Sequence, residues 1–128
     1  MTLLRRGADY FRRWHRDKAN SGGLMVHNAS HHFDLVNWWL GAEPQLVYGQ
    51  GQLAFYGPGR QHGYAREYSR AHSSAAALDD PFALHLADNA TLRELYLDAE
   101  AEDGYYRDRN VFAPRVTIED DMALLARR

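Results

Sequence analysis

The chain has 128 residues, a length for one domain, with 45% hydrophobic and 25% charged residues, as in a globular rather than a disordered protein. Seventeen acids against fifteen Lys and Arg leave a net charge of −2, which offers no general attraction to nucleic acid. The absence of cysteine excludes disulfides, thiolate zinc sites and Cys nucleophiles, and no apolar run approaches the ~18 residues of a membrane span.

Met1 leads into arginines rather than a secretory apolar stretch, so the expectation is a soluble cytoplasmic protein without nucleic-acid or membrane partners. Charge is uneven along the chain. Residues 1–20 hold Arg5, Arg6, Arg12, Arg13, Arg16 and Lys18 against Asp9 and Asp17, whereas residues 79–128 hold twelve acids against six arginines. The two ends can pair with each other, or form solvated faces of one domain.

Residues 8–18 read as a short helix with Tyr10, Phe11 and Trp14 at i, i+1 and i+4. Asn20-Ser21-Gly22-Gly23 breaks it and offers Ser21 as an N-cap. Residues 24–40 then read as one helix closed by Gly41. After Glu43-Pro44 the chain is extended, and residues 45–56 read as a strand in which Gly49 and Gly51 suggest a bulge or close backbone approach. Gly57-Pro58-Gly59 ends the strand. Residues 60–87 form a long irregular segment, of the kind that is usually functional or disordered. Asp88-Asn89 caps a helix over 91–102, and Asp103-Gly104 stops it. A polar-aromatic loop follows over 105–115, and residues 122–126 begin a strand. No internal repeat or low-complexity tract is present.

The chemistry lies in the segment 22–41. On a helical wheel Met25, Ala29, His32, Phe33, Val36, Trp39 and Leu40 share one side. His27, His31, Asp34 and Trp38 fall on the other, at spacings of 4, 3 and 4, within about 40° of each other. Three readings compete. The polar side chains can simply be a hydrogen-bonded, solvated helix face. H-x-x-x-H with Asp34 can bind zinc, although the Glu of H-E-x-x-H is missing. Or a His beside a carboxylate can transfer protons near neutrality.

A resemblance favours the third. Ser21-Gly22-Gly23-Leu24 through His31-His32-Phe33-Asp34-Leu35-Val36-Asn37-Trp38-Trp39-Leu40 resembles the first helix of the C-terminal domain in the Gfo/Idh/MocA oxidoreductases. There a Gly-rich start leads into Asp-x-x-x-His-x-x-Asp. His31 matches the family His, Asp34 the later Asp, and His27 stands where most members have the first Asp. A subgroup with His at that place and an HHFDLVNWW run is similar to this chain throughout. Tyr10-Phe11-Arg12-Arg13-Trp14-His15, Asp103-Gly104-Tyr105-Tyr106-Arg107-Asp108 and Ile118-Glu119-Asp120 belong to the likeness. It implies catalytic roles for His31 and His27, and substrate contacts for Asp34, Tyr105, Arg107 and Asp108. Tyr105, Arg107 and Asp108 can instead form a turn network with Glu119 and Asp120, and Trp14 and His15 either line the site or pack.

The family's NAD or NADP is held by a Rossmann domain that is not found here: Gly49-x-Gly51 leads into more strand, and the Glu-Lys-Pro motif is missing. The resemblance therefore implies that residues 1–128 are part of a C-terminal domain. The fold expected is α/β (α+β), an incomplete, open, mostly antiparallel sheet packed on helices with no Rossmann unit. Such a chain carries part of a sugar or polyol site, no cofactor-binding residues and no metal, and is inactive alone. It associates with copies of itself through the sheet. The rival expectations are a non-enzymatic assembly remnant and a metal-binding module on His27, His31 and Asp34.

Overall fold

The computed structural model describes residues 2–127, with side chains from Gly7 onward. In chain order come α1 (Thr2–Arg12), a 3₁₀ turn (Trp14–Arg16), α2 (Lys18–Ser21), α3 (Leu24–His27), α4 (Ser30–Leu40) and β1 (Leu46–Gln52). Two 3₁₀ turns, Ala75–Ala77 and Leu86–Asp88, punctuate the long middle segment. The chain closes with α5 (Ala90–Leu92), a π-helical stretch (Arg93–Leu97), α6 (Glu100–Asp103) and β2 (Asp121–Arg127). This is an α/β arrangement with an open antiparallel sheet of two strands among the described residues.

The helix expected over 8–18 begins earlier and ends at Arg12, because Arg13 is extended (φ −87, ψ 176). Gly22 and Gly23 then turn the chain with φ of 73° and 93°, conformations that cost glycine little. A side chain at Gly23 would also meet the Glu119 carboxylate at 3.0 Å. Gly23, not Ser21, caps α3; the Ser21 hydroxyl instead donates to the His15 carbonyl at 2.8 Å.

The continuous helix expected over 24–40 is two helices. The N–H groups of Asn28 and Ala29 both reach the Leu24 carbonyl at 3.0 Å, which widens the turn by one residue before α4 restarts from the Ala29 carbonyl. Asn28 and Ser30 flank the break, and side chains of both types compete with the helical ladder for backbone hydrogen bonds. Gly41 closes α4 in the left-handed region (φ 57), as expected. Asn89 caps α5 by accepting from the Leu92 N–H at 3.0 Å, and Gly104 (φ 68) ends α6.

β1 pairs with β2 from Leu46↔Arg127 to Gln52↔Asp121. The strand expected to run to residue 56 stops at Gln52. Asp120 explains the stop: its carboxylate accepts the N–H groups of Ala54, Phe55 and Tyr56, which a longer ladder would need.

The core sits among irregular segments rather than between sheet and helix. Ala8 and Phe11 of α1 meet Tyr56, Phe82, Val111, Phe112, Val116 and Ile118, with Phe11 and Tyr56 stacked at 4.0 Å and Phe82 edge-on to Phe112 at 5.4 Å. The long middle segment is therefore structural. Its backbone is held by Asn110, whose side-chain amide donates to the carbonyls of Arg66 (2.7 Å) and Tyr68 (2.9 Å). By contrast, β1 is exposed along its length, and Trp38 (75%), Trp39 (70%) and Leu125 (71%) stand in solvent. The buried core thus forms without the apolar side of α4 and without the sheet.

Candidate active site

Four side chains spread over residues 10–27 converge where α1 and the 3₁₀ turn meet α3. His15 is 6% exposed and sandwiched between two rings, Tyr10 at 4.5 Å and Trp14 at 4.3 Å. His27, the last residue of α3, stands edge-on to all three: 4.5 Å from His15, 5.5 Å from Trp14 and 5.8 Å from Tyr10. The Tyr10 hydroxyl and His27 Nδ1 are 2.9 Å apart. Burial lifts the Tyr10 phenol above its usual range, so the hydroxyl keeps its proton near neutrality.

Asp9 and Arg107 border this cluster. The Arg107 guanidinium donates to both Asp9 oxygens at 2.5 and 2.6 Å and lies over Tyr96 at 5.4 Å. Burial pushes the Asp9 carboxyl up, but the hydrogen bond from Arg107 and the charges of Arg107, Arg12 and Arg13 together hold it below its usual value. For Arg107, burial acts against the cation and is outweighed by Asp9, which leaves the group raised. Burial, followed by the charges of His27, Arg13 and Arg107, holds the His15 imidazole below its ordinary value of 6.5.

A pH dependence follows. Between the folded value of His15 and 6.5 the unfolded chain binds more protons than the folded one, so stability rises with pH through that window. Stability is expected to be level above about pH 6.5 and to fall as the pH drops below it, until folded His15 protonates. Asp9 and Glu119 are also held low, but from ordinary values of 3.8 and 4.5, so their effect comes at lower pH. Melting temperatures at pH 7.5, 6.5 and 5.5 check this; His15→Gln should flatten the slope, and an unchanged slope would remove His15 as its cause.

The other sequence candidates lie elsewhere. The widened turn at Ala29 breaks the registry that would stack His27 over His31. His31 is exposed on α4 with its ring 4.1 Å from that of His32, and Asp34 is exposed on the same helix. His32 is also exposed, not packed beside Met25 and Trp39. Among the described residues no three His, Asp or Glu side chains converge to hold a metal ion, so His27, His31 and Asp34 are not a ligand triad.

Arg107 reaches the histidine cluster through Asp9, but Asp108 does not; it is buried against Arg70 and the N–H of His72. Tyr105 is partly buried with its N–H on the Asp103 carboxylate (2.8 Å). Glu119 and Asp120 serve other partners: Glu119 pairs with Lys18, joining the basic start to the acidic end, and Asp120 caps residues 54–56. Tyr10, the hydrogen-bond partner of His27, escaped the sequence reading. The signal available was the spacing Tyr10-x-x-x-Trp14-His15, which puts a phenol, an indole and an imidazole on adjacent turns ahead of the glycine pair.

A dinucleotide cradle is not built by the described glycines. Gly51 lies within β1, where a Cβ would meet Glu119 Cγ at 2.7 Å and Met122 Cγ at 3.2 Å. The close approach that glycine permits there is taken up by the protein's own side chains, and no helix N-terminus follows to face a pyrophosphate. No helix among the described residues is long and apolar enough to cross a membrane.

Comparison with known proteins agrees with the resemblance. The family model described as "Oxidoreductase family, C-terminal alpha/beta domain" (GFO_IDH_MocA_C) matches residues 2–93. The chain is 39% identical over 133 residues to "Putative oxidoreductase YteT" of Bacillus subtilis, with 89% of this chain and 29% of that protein covered. It thus spans under a third of the length of that relative. No solved structure gave a significant match. With the family model covering well over half of the residues, the chain belongs to the Gfo/Idh/MocA oxidoreductase family, within its C-terminal α/β domain.

Proposed function

We propose that the chain supplies the proton-handling histidines of an oxidoreductase that oxidises a sugar or polyol hydroxyl in the cytoplasm, with NAD or NADP held by residues other than those described here. The observation that carries this reading is the Tyr10–His27 hydrogen bond at 2.9 Å. With the Tyr10 hydroxyl as the donor in that contact, His27 carries its proton on Nε2 and offers that N–H to a substrate oxygen. His31 accepts the hydroxyl proton as the carbon is oxidised, and Asp34, one turn along α4, orients that imidazole. Arg107, already tied to Asp9, and Tyr105 belong to the proposed substrate side, Asp108 is buried behind them as scaffold, and His15 and Trp14 form the wall beneath His27. The dinucleotide being held by residues other than those described, the chain alone is expected to be inactive.

The test uses a full-length family member assayed for nicotinamide-linked polyol oxidation. Alanine at the histidine matched to His31 should lower turnover by about 10²-fold, the lower range for a general base. A change under threefold, with the fold intact, would return His31 to the role of a solvated helix residue.

A second reading, assembly, is favoured by the apolar surface of α4 and β2. Trp38, Trp39, Leu40 and Leu125 are more than half exposed, and fully burying an apolar side chain of this size is worth about 1.5–3 kcal/mol. Two strands also leave sheet edges open to pairing. Copies of the chain are expected to associate through these surfaces. Sedimentation over a hundredfold range of concentration should show mass rising with concentration, and a monodisperse monomer throughout would refute it.

A further inference from the structure

We infer that the cleft lined by Arg16, Ser69, Arg70, Tyr106, Arg109 and Arg115 is a binding site for an oxyanion, the phosphate or carboxylate group of a small molecule. The cleft has a volume of about 490 Å³, within the range of small-molecule sites, and it includes none of the histidines discussed above.

Four guanidinium groups meet here, and their acids do not balance them. Arg70 is committed: it reaches Glu100 at 2.5 and 2.8 Å and Asp108 at 2.9 Å. Arg115 touches Asp17 at 3.5 Å from an exposed position, a contact that solvent weakens. Arg109 has no carboxylate within ion-pair distance among the described residues, and its guanidinium lies 6.0 Å from the Tyr106 ring centroid.

Arg16 is the decisive group. It is 3% exposed, and its Nε and Nη1 are buried with no hydrogen-bond partner among the described residues. A buried guanidinium with two nitrogens lacking acceptors is an expensive arrangement, and one that native proteins resolve with an acceptor. Burial, then the repulsion of Arg109 and Arg115, draws Arg16 down to about 10, so it is still charged at neutral pH. An anion in the cleft supplies acceptors to Arg16 and neutralises Arg109 at once. The planar fork of arginine suits carboxylate and phosphate oxygens equally. The Tyr106 ring and Pro114 give an apolar wall for the remainder of the ligand.

The experiment is calorimetric titration of the 128-residue chain with inorganic phosphate and, separately, with acetate, at pH 7 and an ionic strength fixed with sodium chloride. At least one anion should bind saturably with a dissociation constant near or below ~1 mM. Phosphate binding the tighter identifies a phosphorylated ligand, and acetate the tighter a carboxylate. Arg16→Met and Arg109→Gln should each weaken binding tenfold or more, while Arg93→Gln, at an exposed arginine outside the cleft, should leave it unchanged. Arg109→Gln alters a partly exposed residue outside the hydrophobic core, so it remains informative if Arg16→Met fails to fold. Neither anion binding over chloride, or equal binding by Arg109→Gln and the wild type, would overturn the assignment.

Discussion

Replacing Asp120 with alanine should remove a large share of the stability of the fold. One carboxylate here caps three successive backbone N–H groups, those of Ala54 at 2.6 Å, Phe55 at 2.8 Å and Tyr56 at 2.7 Å. Its own N–H donates to the Gln52 carbonyl at 3.0 Å, so the residue ties the end of β1 to the start of β2. Hydrogen bonds to a charged acceptor are worth about 1.5–3 kcal/mol each. Tyr56 is buried, and water cannot readily replace the acceptor at its N–H. Discounting for the partial exposure of the other two, the loss is about 4 kcal/mol, against ~5–15 kcal/mol for a whole domain. Tyr56 would also lose its placement against Phe11, and with it a ring pair at the centre of the core. Urea unfolding followed by tryptophan fluorescence measures the loss. Asp120→Asn keeps one acceptor oxygen, so its loss should be smaller; equal stability of wild type and both variants would show that residues 53–56 hold their turn without the cap.

The same residue shows what the sequence could and could not disclose. Ile118-Glu119-Asp120 belongs to the family likeness, but one-dimensional spacing cannot show that a carboxylate at 120 is aimed at N–H groups 64 to 66 positions earlier. Local signals did well wherever the cause is local. Gly41 and Gly104 close helices because left-handed backbone suits glycine, and Asn89 caps α5 through its own side chain. The 24–40 segment shows the limit. Periodicity assumes an unbroken 3.6-residue repeat, and one widened turn at Ala29 suffices to part His27 from His31 and to split the apolar stripe read across residues 25–40. His27 was legible as a candidate from its place in the motif. Trp14 and His15 were legible only as either lining the site or packing, and Tyr10 not as a partner of His27, because the three arrive from α1 and the 3₁₀ turn after it. The core was the least legible part, since Tyr56, Phe82, Val111 and Val116 lie in irregular segments without period.

Substitution of Asp108 should likewise destabilise the fold, and this separates a structural role from the substrate contact expected of the Arg107-Asp108 pair. Asp108 is 1% exposed. Its carboxylate accepts the His72 N–H at 2.7 Å and faces Arg70 Nη2 at 2.9 Å, while its carbonyl accepts the Ala71 N–H at 2.9 Å. Arg70 in turn holds Glu100, so one buried acid joins residues 70–72 to α6. Removing one partner of a buried ion pair costs about 3–5 kcal/mol; Arg70 keeps Glu100, which moves the loss to the lower end, and the His72 N–H loses its acceptor. Asp108→Ala should therefore lower the melting temperature by more than ~10 °C in a domain of this size. The double variant Asp108→Ala with Arg70→Met should lose less than the sum of the single losses, since the Arg70–Asp108 contact is counted in each of them. Glu100→Gln alone should cost less than Asp108→Ala, because Glu100 is more exposed and a neutral amide still accepts from Arg70. A residue kept for substrate would behave in the opposite way. Asp108→Ala would then fold with near-native stability, and the double variant would show no coupling, which would move Asp108 from the scaffold to the binding surface.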